Sequence, residues 1–149
     1  MLTNVLAELF ERDLNKLKAE IEQFSDESGI WNTAGDVTNS AGNLCLHLTG
    51  NLKHFIGSVL GDTGYVRDRD AEFSSMGFSK EMLLSDIDST RDTVASTLAR
   101  LKQGDLTKEY PIEVFGHPMT TEYFLTHLTT HFSYHLGQLN YLRRFQSGK

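Results

Sequence analysis

Residues 121–145 read TEYFLTHLTTHFSYHLGQLNYLRRF, a segment with the pattern of an amphipathic helix. Its apolar side chains recur every three or four residues, which is the spacing of a helix that buries one face. They are Phe124, Leu125, Leu128, Phe132, Leu136, Leu139 and Leu142. Thr120 or Thr121 can cap the start, because a threonine hydroxyl accepts a hydrogen bond from a free backbone N–H group. The pattern predicts a long amphipathic helix that runs to about Phe145.

Two segments nearer the start of the chain have the same helical period. Residues 2–24 predict a first helix, which a run of Ser, Asp and Gly residues then breaks. A second helix follows, with Asn39 or Thr38 as its cap, and it ends at the glycines Gly61 and Gly64.

The connections between the later helices are unusual. Residues 65–78 are charged and irregular, and this segment is long for a link between neighbouring antiparallel helices, so it predicts a crossover. Ser79 caps a third helix that runs through Leu101. Before the last helix, residues 110–114 alternate between apolar and polar, and a Gly-His-Pro turn follows. These features predict a short β-hairpin or an extended excursion.

The predicted fold class is all-α, a four-helix bundle with a long crossover between helices two and three. A single domain of residues 1–149 is expected, because no linker rich in Pro, Gly or Ser divides the chain. The composition is that of an ordinary globular protein, with 39% hydrophobic and 23% charged residues.

Charge and cysteine content exclude several classes of function. A net charge of -6 argues against a nucleic-acid partner, because binding to phosphates needs a clustered excess of Lys and Arg. The single cysteine, Cys45, excludes an internal disulfide framework and fits a reducing compartment. No segment has the apolar length of a membrane span, and the acidic N-terminus does not resemble a signal peptide. A cytoplasmic protein without a membrane partner is expected.

Three histidines stand four residues apart on the last helix: His127, His131 and His135. An α-helix rises about 1.5 Å per residue, so the first and the third are about 12 Å apart, too far for bonds of about 2.1 Å to one ion. With Phe124 at zero on a helical wheel, the apolar stripe covers roughly 0° to 120°. His135 then falls at about 20°, His131 at about 340° and His127 at about 300°. The pair His131 and His135 is the better inward-facing one.

A third ligand for such a pair has to come from another helix. His47 and His54 both lie on helix two, about 10 Å apart along one face, so only one of them can join. Spacing does not choose between them. His117 lies in the predicted turn, where an exposed side chain is the simpler interpretation. The pair on the last helix is equally compatible with core imidazoles that hydrogen-bond to carbonyl groups.

Two motifs resemble a known family. Residues 44–60, LCLHLTGNLKHFIGSVL, and residues 131–145, HFSYHLGQLNYLRRF, are similar to motifs of the DinB/YfiT-like superfamily of metal-dependent enzymes. Within it, the chain resembles a subgroup of small bacterial proteins of unknown function. Many members have arginine where Leu136 stands here, a difference that leaves the metal ligands intact. The resemblance extends over essentially the whole chain in length and helix order.

The resemblance implies a set of metal ligands. In the superfamily, one histidine of helix two and an H-x-x-x-H pair of the last helix hold a divalent ion. The match places His47, His131 and His135 at these positions and leaves His54 and His127 as bystanders. The resemblance also implies a homodimer.

Three neutral imidazoles leave coordination positions open, which is the pattern of a catalytic metal site. Imidazole suits several divalent metals, and zinc or nickel is expected. The resemblance implies a small-molecule substrate and a low-molecular-weight thiol such as bacillithiol or mycothiol as cosubstrate. The expected function is therefore a thiol-dependent transferase that acts on small electrophiles. The alternatives are a metal-dependent hydrolase and a non-catalytic metal-binding bundle related to stress.

Several other polar residues are candidates for roles around this site. Candidates for a general base are Glu122, Tyr123 and Tyr134 on the last helix and Asn51 on helix two. Their spacing in the sequence does not show that any of these side chains points at an ion. Gln138 either supports a metal ligand or forms a hydrogen bond between helices.

The remaining candidates have structural interpretations. Gly137 permits a close approach of another helix, and Cys45 most simply packs in the core. Trp31 covers the end of the bundle or forms a pocket wall. Phe132 and Phe145 are expected in the core.

Overall fold

The computed structural model describes residues 1–147; Gly148 and Lys149, which the predicted domain includes, lie outside the described residues. The described chain is all-helical, as predicted, and residues 1–147 contain no strand. Its elements are α1 (Leu2–Glu22), α2 (Glu27–Trp31), α3 (Ala41–Leu52), a π-helix (Lys53–Ser58), α4 (Arg69–Ser74), α5 (Lys80–Arg100), α6 (Gln103–Leu106) and α7 (Thr121–Ser147). Four of the α-helices are long, namely α1, α3, α5 and α7.

Side-chain caps fix where three of the four long helices begin. The Thr120 hydroxyl accepts from the backbone N–H group three residues on, and Ser79 does the same for α5, so both predicted caps are confirmed. The cap of α3 is Ser40, whose hydroxyl oxygen lies 3.0 Å from the nitrogen it accepts from. The prediction of Asn39 or Thr38 is therefore wrong by one or two residues, a usual error for helix ends.

The second predicted helix changes its winding halfway. After α3 the backbone continues as a π-helix, in which the Val59 nitrogen donates to the His54 oxygen five residues earlier, at 3.0 Å. The helix ends in two residues with positive φ, Asp62 at 51° and Gly64 at 80°. Single π-turns inserted in α-helices are frequent at functional sites.

The long helices pack against one another around a common core. α1 contacts α5 and α7, and α3 contacts the same two helices. Lys53 forms an ion pair with Asp86, and a Cβ added at Gly57 would lie 2.9 Å from Thr93. The helix formed by α3 and the π-helix therefore runs in the same direction as α5. The connection 59–79 must return along the length of this pair, and α4, within it, packs against α3.

The core lies between these helices. On α7 the predicted apolar stripe is buried, and its most accessible member, Leu136, is only 9% exposed. Phe132 is buried as predicted, whereas Phe145 is 75% exposed, so its expected place in the core is wrong. On the wheel used above, Phe145 falls at about 300°, outside the stripe. Trp31 packs over the start of α3 and donates a hydrogen bond to the Phe78 oxygen at 3.2 Å.

The connections contain two features that differ from the expectation. α2 and α4 are helices of only five and six residues in segments predicted to be irregular. In place of a hairpin before α7, the structure has one antiparallel bridge between Glu109 and Thr120, so the extended excursion is the better description. None of the helices within residues 1–147 combines the length and apolar character needed to cross a bilayer.

Candidate metal centre

Three of the predicted ligand residues meet between α3 and α7. His47 lies on α3 and is 4% exposed, while His131 and His135 lie one turn apart on α7 and are partly buried. The ring of His47 lies 5.0 Å from the rings of both His131 and His135. α3 and α7 are antiparallel, because Leu44 lies near Leu142 whereas Phe55, further along, contacts Phe124. Each residue offers a ligand atom, and all three atoms lie within 4.8 Å of one another. The group can hold a metal ion.

The distance between the ring nitrogens of His47 and His131 matches the distance between two ligands of one metal ion. Their Nε2 atoms are 3.1 Å apart. Two ligands about 2.1 Å from one ion lie about 3.0 to 3.4 Å apart for angles between octahedral and tetrahedral. Two imidazole nitrogens at this separation need a proton or a cation between them, because two lone pairs facing each other would repel.

A carboxylate from the crossover supports His47. Glu72 of α4 places Oε1 3.1 Å from Nδ1 of His47, and the side chain is 6% exposed. An ionised carboxylate only accepts hydrogen bonds, so the Nδ1–H group of His47 donates. The proton is then on Nδ1, and the Nε2 lone pair is directed at the cluster. This arrangement is typical of histidines that bind metals.

The Glu72 carboxylate is in turn paired with Arg67. The Arg67 Nε atom lies 2.8 Å from Oε2, and Nη2 lies 2.9 Å from Oε1, which is a two-point ion pair. Burial acts to raise the pKa of Glu72, but the hydrogen bonds from His47 and Arg67 and the charge of Arg67 bring that pKa below its usual value. The carboxylate is therefore ionised at neutral pH.

Gln138 supports His135 from within the same helix. The Gln138 side-chain oxygen lies 2.8 Å from Nδ1 of His135, one turn away on α7. Of the two roles considered for Gln138, the structure therefore favours support of a candidate metal ligand. Burial lowers the pKa of His135, the Gln138 hydrogen bond raises it, and the net shift is downward.

His131 is held as a neutral imidazole. Burial first, and then the neighbouring His135 and His47, lower the pKa of His131 to about 3. Its Nδ1 atom is buried and has no hydrogen-bond partner among residues 1–147. A neutral ring is the form that ligates metals, because a protonated imidazole has no free lone pair.

The other three histidines do not join the cluster. The ring of His54 lies 4.7 Å from that of Phe55, on the π-helix. His127 stacks on Phe124 at 5.9 Å between ring centres, and His117 is an exposed turn residue. Of the two histidines that spacing left open on helix two, the structure thus brings His47 to the pair, and not His54.

The remaining candidates have other surroundings. Tyr123 is 59% exposed, Tyr134 is 66% exposed, and Asn51 is buried with its side-chain oxygen unpartnered among the described residues. None of these contacts identifies a general base. Cys45 is fully buried, which raises the pKa of its thiol, and it is packed in the core as expected. A Cβ at Gly137 would meet nothing within 4 Å, so the expected close helix approach at this glycine is wrong.

Two site residues, Glu72 and Arg67, were missed by the sequence interpretation. They lie in the charged stretch VRDRDAEF, which has no long helical period. A signal is nevertheless present, because Asp68 caps α4 through the Ala71 nitrogen, and Asp70 and Glu72 place acidic groups in the first turn. Such a pattern marks a helix start. It does not reveal which helix α4 will contact.

A cavity of about 380 Å³ lies beside the centre, between α3, the crossover and α5. Glu72 and Gly50 form part of its wall, and Lys53 and Asp86 also line it. The three histidines of the cluster do not line it. Glu72 is therefore the residue shared by the cavity and the candidate metal centre.

Comparison with known proteins identifies the fold and the family. No curated protein matches the chain. A solved structure described as "Crystal structure of the conserved protein of locus from Enterococcus faecalis" is similar with a TM-score of 0.79, and the match covers 99% of this chain and 98% of that one. At 16% identity, this similarity shows the fold alone. Residues 2–149 match the family described as "Protein of unknown function (DUF1572)", and the chain belongs to that family.

Proposed function

We propose that this protein is a metal-dependent enzyme that binds one divalent ion, zinc or nickel, through His47, His131 and His135. The observation that carries the proposal is the convergence of the three imidazoles to within 4.8 Å. The hydrogen bonds of Glu72 and Gln138 to Nδ1 atoms support it, because they leave the opposite nitrogens free for an ion.

We also propose that the fold is a four-helix bundle of the DinB/YfiT-like type with a crossover between helices two and three. The contacts of α1 and α3 with both α5 and α7 support this assignment. The parallel course of α3 and α5 supports the crossover. A homodimer is proposed on the basis of the resemblance, and a cytoplasmic location on the basis of the single cysteine, which fits a reducing compartment.

The proposed reaction is the transfer of a low-molecular-weight thiol to a small electrophile. A bound ion supplies Lewis acidity, which lowers the pKa of a thiol or water that it coordinates. In the transfer, the S–H proton leaves to solvent, sulfur forms a bond to the electrophilic carbon, and the leaving group departs with its electron pair. As a ligand of the ion, His131 would have no free lone pair at the coordinating nitrogen and would not accept this proton; burial also lowers the pKa of the ring, to about 3.

Aromatic rings lie beside His47 and Arg67. The Phe73 ring lies 4.7 Å from that of His47, and Phe55 lies beneath the Arg67 guanidinium at 5.7 Å. Aromatic walls exclude water, and charges interact more strongly where water is excluded. These rings therefore strengthen the ion pair of Arg67 with Glu72, which lies on the Nδ1 side of His47, opposite the nitrogen that faces His131.

Metal content is the first test. Protein purified without an affinity tag is analysed for bound metals, and we expect about one divalent ion per chain in the wild type. His131→Ala and His47→Ala should lose the ion while the circular dichroism spectrum stays helical. His117→Ala is the matched control, because His117 is an exposed turn residue. Absence of metal after growth with zinc and nickel supplementation refutes the proposal.

Activity is the second test. The metal-loaded protein is mixed with a low-molecular-weight thiol and the fluorogenic electrophile monochlorobimane, and conjugation is followed by fluorescence. We expect a rate that depends on metal, on thiol and on His131, and that His117→Ala leaves unchanged. Hydrolysis of an ester without any thiol would instead identify a hydrolase. No turnover in either assay by fully metal-loaded protein refutes the enzymatic part of the proposal.

A further inference from the structure

We infer that Glu72, held by Arg67, is a positioning residue that fixes His47 for metal binding, so that the crossover helix α4 completes the metal centre. This inference rests on the proposed function. Glu72 cannot be a ligand of the same ion, because it lies at Nδ1 of His47, whereas Nε2 faces His131. Its effect on an ion is therefore transmitted through the His47 ring.

The position of α4 is fixed by contacts other than the carboxylate. The Asn43 side-chain nitrogen donates to the backbone oxygens of Glu72, at 3.0 Å, and Ser75, at 2.7 Å. These two oxygens lie at the end of α4, where backbone carbonyls lack helical partners. Asn43 thus anchors the end of α4 to α3, one turn before His47 on the same helix.

A glycine on α3 leaves the space that the carboxylate occupies. Gly50 is buried, and a Cβ at this position would lie 2.1 Å from Oε2 of Glu72 and 2.7 Å from its Cδ atom. Any other side chain at this position would collide with the carboxylate as it is placed. The glycine therefore permits the close approach of Glu72 to His47, which stands three residues earlier on the helix.

Arg67 supplies the charge that keeps the carboxylate in place. Its guanidinium bonds both oxygens of Glu72, and its Nη2 atom also lies 3.4 Å from Nδ1 of His47. Both of these nitrogens carry protons when Glu72 is ionised, so this last contact is not a hydrogen bond. Both groups instead donate to the same carboxylate oxygen, Oε1. The oxygen thereby fixes the orientation of the imidazole ring relative to the guanidinium.

Loss of the Glu72 hydrogen bond should weaken the affinity of the site for a metal ion. Removal of the hydrogen-bond partner of a metal-binding histidine typically weakens metal binding about 10- to 100-fold. We expect Glu72→Ala to raise the Kd for Zn²⁺ towards the upper end of this range. Glu72→Gln keeps an oxygen that can accept from His47 but turns an amide N–H₂ group towards Arg67. Its loss of affinity should therefore be near the lower end.

The test measures Zn²⁺ binding by competition with a chelator for wild type, Glu72→Gln and Glu72→Ala. Asp70→Asn is the matched control, because it removes the same charge from an exposed position of the same helix. ¹⁵N NMR of the histidine rings in metal-free protein reports the tautomer of His47 as an independent readout. In the wild type we expect the proton on Nδ1, and in Glu72→Gln a measurable shift of the tautomer equilibrium.

The possible outcomes separate this inference from the proposed function. If both Glu72 variants bind Zn²⁺ as the wild type does, and His131→Ala does not bind, the metal site stands and the positioning role is overturned. If the wild type binds no Zn²⁺, the proposed function and this inference both fail. If Glu72→Ala does not fold, the Zn²⁺ affinity and the His47 tautomer of Glu72→Gln still decide whether Glu72 positions His47.

Discussion

Replacement of Gly50 by alanine tests the contact on which the candidate centre depends. In a helix interior, alanine is favoured over glycine by up to about 1 kcal/mol. At Gly50, however, the new Cβ would lie 2.1 Å from a carboxylate oxygen of Glu72. The carboxylate has to move, and it then leaves the hydrogen bond to His47 or strains the pair with Arg67.

The magnitude follows from these two opposing effects. A hydrogen bond that involves a charged group contributes about 1.5 to 3 kcal/mol. After subtraction of the helix-propensity gain, Gly50→Ala should lower the free energy of unfolding by about 0.5 to 2 kcal/mol. Each kcal/mol corresponds to about 2 to 4 °C in Tm for a chain of this size. Zn²⁺ affinity should fall together with stability, because the same displacement releases His47.

The matched control is Gly137→Ala. A Cβ at Gly137 meets no atom within 4 Å, so this variant gains helix propensity without a collision. We expect its free energy of unfolding to rise by up to about 1 kcal/mol, with Zn²⁺ affinity unchanged. The difference between the two alanine variants, measured by thermal and urea unfolding with and without chelator, should be about 1.5 to 3 kcal/mol. Equal stabilisation by both substitutions, with unchanged metal affinity, would show that the Gly50 contact has no energetic role.

Three further predictions concern the scaffold. Ser79→Ala removes the hydroxyl that accepts from the Met82 nitrogen at 3.2 Å, and it should cost about 1 kcal/mol in urea unfolding; an unchanged midpoint would contradict this capping role. Phe10→Ala empties a core position that is 1% exposed and should cost about 3 to 5 kcal/mol, while the remaining folded protein binds Zn²⁺ normally; a selective loss of metal affinity would contradict the separation of core and site. The Cys45 thiol is buried and its pKa is raised, so it should react with Ellman's reagent only after unfolding; rapid reaction of the native protein would refute this expectation.

Helical periodicity predicted those parts of the fold that are long and amphipathic. The apolar stripe of α7 and the Ser79 cap of α5 are local features, and local features are readable from one sequence. The short helix α4 is not, because six residues are too few to show a period. The winding change at Lys53–Ser58 was also unreadable, since a π-turn depends on packing around it.

The candidate site also has some parts that the sequence predicts and others that only the tertiary structure reveals. The i, i+4 spacing of His131 and His135 follows from helix geometry alone. The choice of His47 over His54 needed either a family resemblance or the structure, because both residues lie on one helix. Glu72 depended on tertiary structure entirely, because only the return of the crossover over α3 brings its carboxylate to the imidazole.

The wide separation of the site residues along the chain has a consequence for folding kinetics. His47 and Glu72 are 25 residues apart, and His47 and His131 are 84 apart, so a complete set of ligands exists only after α3 and α7 have docked. An ion that binds only after this docking does not stabilise a folding transition state in which α3 and α7 are still apart; for such a transition state it slows unfolding and leaves the folding rate unchanged. At a free concentration 100 times the Kd, the native state gains about 2.7 kcal/mol, which corresponds to about a hundredfold slower unfolding. The metal would then increase the kinetic stability of the folded protein without changing how fast the chain folds.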